Sequence, residues 1–317
     1  MLSLAPLQGI TDVVYRNVFK KHFCGIDKYY TPFFTGIQKD NSKSLRGEEI
    51  SPEFNDVNTV VPQILSNSAE EIIRFAKQCK SMGYPEFNLN MGCPFPRVAN
   101  KIRGCGLMAD PQRTINMLTD VFESIDGIKF SIKCRLGYYD NEEIYAFIDT
   151  FNSLPFSEII IHPRIGKQMY TGEASLENFV KLILLINKPL VYNGDIFTAD
   201  RYDTVLSALS VLSVLSPHIM LGRGLLTNPF LAEQIKNIDN QQDKKQRLHS
   251  FVVDLYVGRL RHAGGSPKII GSMKELWKYM MNLFDDPQNV WRKVKKVNHL
   301  DEYETAIELI FNQYQLS

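Results

Sequence analysis

Residues 59–94 read Thr59-Val-Val-Pro-Gln-Ile64, then Ser68-Ala-Glu-Glu-Ile-Ile-Arg-Phe-Ala-Lys-Gln-Cys-Lys-Ser-Met82, then Glu86-Phe-Asn-Leu-Asn90 and Met91-Gly-Cys-Pro94. The first and third runs are short, apolar and β-branched or aromatic, as strands are. The middle run sets Ile72, Ile73, Phe75, Ala76 and Cys79 at helical spacing. Strands that alternate with helices imply parallel pairing. The alternation extends in both directions. Leu2–Leu4, Lys28–Phe33, Lys129–Lys133, Glu158–His162, Leu190–Asn193 and Ile219–Gly222 are the other strand-like runs. Asp110-Pro111 before Thr114–Phe122 reads as an N-cap followed by proline at the first helical position. Eight such units in about 225 residues match the size of an α/β (β/α)8 TIM barrel. A doubly wound open sheet is the alternative. It would usually have fewer strands, and no Gly-x-Gly-x-x-Gly follows the first one here.

The strand pattern stops after Gly222. Asn237–Lys245 is polar and reads as a linker or an exposed helix start. Beyond it Arg247–Arg261, Ile269–Leu283 and Asp301–Tyr314 show helical periodicity, broken at Ala263-Gly-Gly-Ser-Pro267. The expected organisation is a barrel domain over 1–235 and a small all-α domain over 236–317.

The 317 residues are 44% hydrophobic and 22% charged, as in an ordinary globular protein, which excludes a disordered chain, a collagen-like fibre and a coiled coil. No window approaches the roughly 18 apolar residues of a membrane span. The start, Met1 to Leu7, lacks the features of a signal peptide, so a cytoplasmic protein is expected. Cys24, Cys79, Cys93, Cys105 and Cys134 are scattered and form no Cys-x-x-Cys, so neither a metal site nor a disulfide framework is expected. Net charge is +1, but residues 259–296 hold nine Lys or Arg against three Asp or Glu, with both Trp277 and Trp291 among them. That stretch reads either as a polyanion surface or as a solvated helical face with tryptophan packed inward.

In a barrel the C-terminal strand ends form the active face. Seven of the eight runs deliver, in order, Pro6-Leu7-Gln8-Gly9; Gln63; Asn88, Asn90 and Gly92-Cys93-Pro94; Lys133 and Arg135; His162 and Arg164; Asn193-Gly194-Asp195; and Gly222-Arg223-Gly224. One polar residue at a strand end is usually a cap; a full set on one face is harder to dismiss. The glycines after the last two strands, with Arg223, suit the phosphate site of such barrels. Lys133 and His162 would then reach the ring end of a phosphorylated cofactor. Cys93, between glycine and proline in an active-face loop, reads as a general acid, a nucleophile or a buried turn thiol. Cys105, in Arg103-Gly-Cys-Gly106, is the rival thiol.

The chain resembles the tRNA-dihydrouridine synthases, on Asn88-Leu-Asn-Met-Gly-Cys-Pro94 with Gly104 and Gly106 following. Further blocks agree in order: Ala5-Pro-Leu-Gln-Gly-Ile-Thr-Asp12, Val61-Pro-Gln63, Ile132-Lys-Cys-Arg135, Ile161-His-Pro-Arg164, Asn193-Gly-Asp195 and Met220-Leu-Gly-Arg-Gly-Leu-Leu-Thr-Asn-Pro229. The tail around Lys274–Trp277 leans toward the bacterial class C branch. Departures are Leu7-Gln8, where many members have Met and a small residue or Glu, and Pro96-Arg97, where many have a basic pair.

The resemblance implies an oxidoreductase that reduces a uridine of the tRNA D-loop to 5,6-dihydrouridine. FMN is the cofactor and NADPH (or NADH) the reductant. Hydride passes from flavin N5 to uracil C6, and Cys93 supplies the proton at C5. By the same match Pro6, Leu7, Gln8, Gln63, Lys133, His162, Asn193, Gly194, Asp195, Gly222 and Arg223 bind the cofactor. Asn90, Arg135 and Arg164 are the candidates for the substrate. The partner is tRNA at its D-loop and elbow, met by the basic tail; no membrane, no metal and a monomer are expected. Two alternatives stay open: a flavoenzyme of the dihydroorotate dehydrogenase type acting on a free pyrimidine, and a flavin-free RNA-binding module.

Overall fold

The computed structural model describes residues 1–37, 47–210 and 217–317. Two compact units emerge, each assembled from separate stretches of chain. One comprises Met1–Pro6, Asp27–Asp195 and Asp203–Leu221; the other comprises Leu7–Ile26, Ile196–Tyr202 and Gly222–Ser317.

The first unit is a parallel barrel. Its strands are β1 (Leu2–Leu4), β2 (Lys28–Tyr30), β3 (Val60–Val61), β4 (Gln63–Ile64), β5 (Glu86–Met91), β6 (Lys129–Gly137), β7 (Ile159–Ile165), β8 (Leu190–Tyr192) and β9 (His218–Leu221). They run in the order β3-β2-β1-β9-β8-β7-β6-β5-β4. β3 and β4 are one sequence run interrupted by Pro62, which has no N–H to donate to a ladder. β3 pairs with β2 and β4 with β5, so the broken run closes the ring. The eight runs read from the sequence are thus the eight staves of a TIM barrel.

Inside the ring Ala5, Tyr30, Val61, Ile160, Val191 and Met220 form a dry central layer. Helices on the outside follow the predicted signals. Ala69–Ser81 is capped by the Ser68 hydroxyl, which accepts from the Glu71 N–H, and buries Ile72, Phe75, Ala76 and Cys79. Pro111–Ser124 starts on Asp110 with proline at its first position. β6 and β7 run longer than their sequence patterns, because pairing continues to Gly137 opposite Ile165 past a register shift at Arg135. Arg135 and Arg164 therefore lie within strands rather than just beyond them, and His162 lies mid-strand rather than at a strand end.

The second unit is helical. Val13–His22 packs against Lys244–His262, burying an aromatic cluster of Tyr15, Phe19, Phe23 and Phe251. Ile269–Met280 and Leu300–Gln313 match the predicted helices. Pro287–Lys295, capped by Asp286, is a helix whose periodicity the sequence reading did not single out. Trp277 is fully buried and its indole N–H donates to the Tyr303 hydroxyl at 3.0 Å. Arg259 is buried too, pairing with Asp12 at 3.2 Å and donating to the Ile10 carbonyl at 2.5 Å. Both drop out of any surface formed by 259–296, while Arg261, Lys268, Lys278, Arg292, Lys295 and Lys296 stay exposed. No helix among the described residues is long and apolar enough to cross a membrane.

Candidate active site

Cys93 follows the end of β5 in a loop built by its neighbours. Asn90 Oδ1 accepts from the Gly92 N–H at 3.1 Å and the Cys93 N–H at 2.9 Å, closing a turn that fixes the cysteine backbone. Asn90 Nδ2 donates to Gln63 Oε1, Gln63 Nε2 to Asn88 Oδ1, both at 2.8 Å, and Asn88 Nδ2 to the Ser131 hydroxyl at 3.0 Å. Four polar side chains from β4, β5 and β6 thus form one relay inside the barrel, which orients every amide in it. The sequence reading took up Gln63 and Asn90 but gave no role to the links Asn88 and Ser131. Asn88 figures there only as a strand-end residue and the start of the motif, and the signal for Ser131 is its period-two spacing with Lys133.

The carbonyl of Cys93 is gripped from the other side by the Cys105 N–H at 3.0 Å. Gly104 supplies the bend, with φ +55°; a Cβ there would stand 2.7 Å from the Cys93 carbonyl oxygen. The two thiols then diverge. Cys105 is fully buried, its thiol donates to the Gly137 carbonyl at 3.1 Å, and burial pushes it up to about 12. Cys93 is also raised by burial, but the Phe95 N–H and the charges of Arg135, Arg97 and Lys133 pull the other way. Its thiol is therefore protonated at neutral pH yet surrounded by groups that favour the thiolate, the balance a proton donor needs.

Lys133 stands on β6 in register with Asn90 on β5. It makes no hydrogen bond or ion pair among the described residues. Burial lowers its ammonium to about 8, with Arg135 adding repulsion. Arg135 registers with His162 on β7. Its guanidinium donates to the carbonyls of Gly92 at 3.1 Å, Ile165 at 2.8 Å and Met169 at 2.7 Å, tying the Cys93 loop to the loop after β7.

His162 Nε2 lies 2.9 Å from Arg164 Nη1. A guanidinium only donates, so Nε2 accepts and the imidazole proton sits on Nδ1. Arg164 is committed throughout: to Asp195 through both terminal nitrogens, to the Thr171 carbonyl at 3.4 Å and to the Gly172 carbonyl at 2.5 Å. Asn193 donates to the Met220 carbonyl at 2.8 Å. A Cβ at Gly194 would collide with the Tyr192 hydroxyl, so any side chain there would force that buried ring to move. Pro6 ends the first stretch of this unit, half-buried.

Leu7, Gln8, Gly222 and Arg223 belong to the helical unit. The Leu7 N–H donates to the Thr11 hydroxyl at 2.8 Å, and the Leu7 carbonyl accepts from Ile10 and Thr11, leaving Gln8 at an exposed turn. Gly222 precedes the short helix Arg223–Thr227, and the Arg223 guanidinium lies 5.7 Å from the Phe197 ring. Among the described residues no group of three or more His, Cys, Asp or Glu is placed to hold a metal.

A part-buried ammonium with no ion pair among the described residues, in register with Asn90 of the polar relay, fits an anionic ligand group. Comparison with known proteins supplies a family. The sequence pattern described as Dihydrouridine synthase (Dus) matches residues 3–313. The tRNA-dihydrouridine(16) synthase of Neisseria meningitidis serogroup A is 24% identical over 312 residues, covering 95% of this chain and 92% of that protein. The probable tRNA-dihydrouridine synthase of Staphylococcus epidermidis is 29% identical over 239 residues, covering 73% and 70%. The probable tRNA-dihydrouridine synthase 2 of Bacillus subtilis is 29% identical over 240 residues, with the same coverage.

Proposed function

Because the chain belongs to the dihydrouridine synthase family, we propose that it reduces a uridine of tRNA to 5,6-dihydrouridine, with FMN bound and NADPH as electron source. The observation that carries this reading is the pairing of a protonated, part-buried thiol with an anion-free ammonium: Cys93 follows β5, and Lys133 lies on neighbouring β6. The uracil C5–C6 bond gains two electrons and two protons; NADPH gives two electrons and one proton, and solvent ultimately replaces the other.

FMN, when bound, supplies the two-electron chemistry at the ring. The chain's residues do the rest. By the family match, Lys133 would offer its cation and Gln63 a hydrogen bond to the flavin ring, Pro6, Leu7 and Gln8 would contact that ring, and His162, Asn193, Gly194, Asp195, Gly222 and Arg223 would hold the ribityl chain and phosphate. Cys93 transfers its Sγ proton to C5, and the thiolate left behind is stabilised by the Phe95 N–H and the charges of Arg135, Arg97 and Lys133. Arg135 Nη2 has no partner among the described residues and, with the second Nδ2 hydrogen of Asn90, is available to a uracil oxygen. Arg164 has no such vacancy and acts by holding His162 and Asp195 in place.

The tail, 236–317, is the tRNA-binding part of this reading, through its exposed cations. The target within the D-loop is position 16. The Neisseria enzymes that carry this position in their names match the chain through its tail, over 95% and 96% of it. A tRNA substrate puts the protein in the cytoplasm.

The test is direct. Purified protein should be yellow and should add 2 Da to unmodified tRNA, at uridine 16, when NADPH is supplied. A free-pyrimidine flavoenzyme would be yellow and reduce uracil or orotate while leaving tRNA unchanged. A colourless protein that binds tRNA would reject both flavin readings.

A further inference from the structure

Three consecutive loops at the C-terminal end of the barrel each hold one aromatic side chain out in solvent. After β5 it is Phe95, 45% exposed; after β6, Tyr139, 61% exposed; after β7, Tyr170, 43% exposed. Each is accompanied by a cation. Arg97 lies 6.0 Å from the Phe95 ring centroid, Lys167 lies 5.3 Å from that of Tyr139, and Arg135 lies 5.4 Å from that of Tyr170. Exposed apolar side chains scattered singly need no explanation. An aromatic with a cation on three successive loops at one end of a barrel does.

The backbone beneath each ring is fixed. Phe95 sits between Pro94 and Pro96, which lock φ on either side of it, and its carbonyl accepts from Val98 at 2.8 Å and Ala99 at 3.0 Å. The loop of Tyr139 is drawn onto one carboxylate: Glu143 accepts from the N–H groups of Tyr138 at 2.7 Å, Tyr139 at 2.9 Å and Asp140 at 3.2 Å. The loop carrying Lys167 is stitched to it, Gly166 N–H to the Gly137 carbonyl at 2.8 Å and Lys167 N–H to the Tyr138 carbonyl at 2.9 Å. The loop of Tyr170 is held by Arg135 through Ile165 and Met169. Asp140 and Glu143 accept from backbone N–H groups of this loop, and Arg97 and Lys167 are the cations beside the two rings.

Rigid aromatics with adjacent cations suit one ligand chemistry: unstacked bases joined by phosphates. A base stacks on the ring at little entropic cost, because the ring is already held in place. We infer that Phe95 and Tyr139, with Arg97 and Lys167, form a stacking rim that receives the nucleotides flanking the target uridine when that uridine leaves its own stack. The barrel would then hold the opened loop itself, independently of the basic tail. The inference rests on tRNA being the substrate.

The experiment measures tRNA binding and tRNA kinetics in the full-length protein with Phe95→Ala, Tyr139→Ala, Phe95→Tyr and Tyr139→Phe. Each alanine variant should raise both the Kd and the KM for tRNA about tenfold. Flavin content and NADPH oxidation by oxygen should be unchanged in the two Tyr139 variants. The two aromatic replacements should restore both constants, which loss of a merely structural side chain would not predict for Phe95→Tyr at an exposed site. Unchanged Kd and KM in both alanine variants, or failure of both aromatic replacements to rescue, overturns the rim. If the wild-type protein reduces no tRNA, it is the proposed function that has failed, not the rim alone.

Discussion

Two lysines are drawn into the barrel unit, and their surroundings differ. Lys28, at the start of β2, lies 2.9 Å from Glu86 and 3.5 Å from Glu158. Glu158 also takes the hydroxyl of Tyr30 and lies 2.9 Å from His218 Nδ1, whose Nε2 lies 3.1 Å from the Ser3 hydroxyl. Burial opposes the charge on Lys28, but the two carboxylates outweigh it and its pKa is raised. Lys133, on β6, pairs with no carboxylate among the described residues, has Arg135 for a neighbour, and falls to about 8. The first lysine sits among groups from β1, β2, β5, β9 and the residue before β7 that satisfy one another near the starts of those strands. The second makes no ion pair among the described residues. Stability built at one end and chemistry at the other is what a parallel barrel allows.

The largest effect that would break this contrast concerns Cys93. Cys93→Ala should lower the rate of tRNA reduction by about 10²–10⁴, leaving fold, flavin content and NADPH oxidation intact. Cys105→Ala should retain the chemistry, since that thiol is raised to about 12 and bonded to a carbonyl. Equal losses in the two variants, read from rates of dihydrouridine formation, would place the proton elsewhere.

At the other end the expectation reverses. Glu158→Ala removes the carboxylate that faces Lys28, Tyr30 and His218 together, and should cost about 3–5 kcal/mol in denaturant unfolding. The variant that still folds should reduce tRNA at a normal rate per bound flavin. A Glu158 variant of full stability and poor chemistry would dissolve the distinction between the two ends.

Lys133→Ala and Arg223→Ala should each weaken FMN by tenfold or more, as removal of a charge-assisted hydrogen bond does. Equilibrium dialysis checks this. The pH dependence of the flavin-free protein sharpens it. Below pH 8 Lys133 is protonated in both folded and unfolded states, and its burial is a constant cost. From about 8 up to its ordinary value of 10.5 the unfolded state binds more protons, so stability should rise with pH. Lys28 contributes the opposite slope: its stabilisation is complete below 10.5 and is lost as pH climbs through its raised folded value. Lys133→Met should remove the rise and leave the alkaline loss.

The smallest effect tests the helical unit. Charge reversal at Lys293, Lys295 and Lys296 should weaken tRNA binding and reduce the dependence of log K on log salt by about 0.7–0.9 for each phosphate that is no longer neutralised. Flavin content should not change. An unaltered slope would make these lysines a solvated helix face.

The strands were legible because each is a short apolar run, and a parallel barrel buries both faces of its staves. Pro62 shows the limit: the run Thr59–Ile64 reads as one strand, and only the ladder reveals that proline divides it between two partners. The Cys93 loop was legible from Gly92, Cys93 and Pro94, whose backbone preferences are local. Arg135 and Arg164 were read as substrate residues, yet much of their bonding goes to carbonyls of distant loops and, for Arg164, to Asp195. Such commitments depend on the closed ring, and no pattern along the chain encodes them. Trp277 was weighed as part of a polyanion surface; its hydrogen bond to Tyr303 comes from a helix 26 residues away and takes it into the core.

The measurement that bears most directly on the whole account is a map of dihydrouridine in tRNA from cells lacking this gene, complemented with the wild-type chain or with Cys93→Ala. The account predicts that dihydrouridine disappears at position 16 in the deletion strain, returns with the wild-type chain and stays absent with Cys93→Ala despite normal amounts of yellow protein. Position 16 fully modified without the gene, or restored by Cys93→Ala, would contradict it.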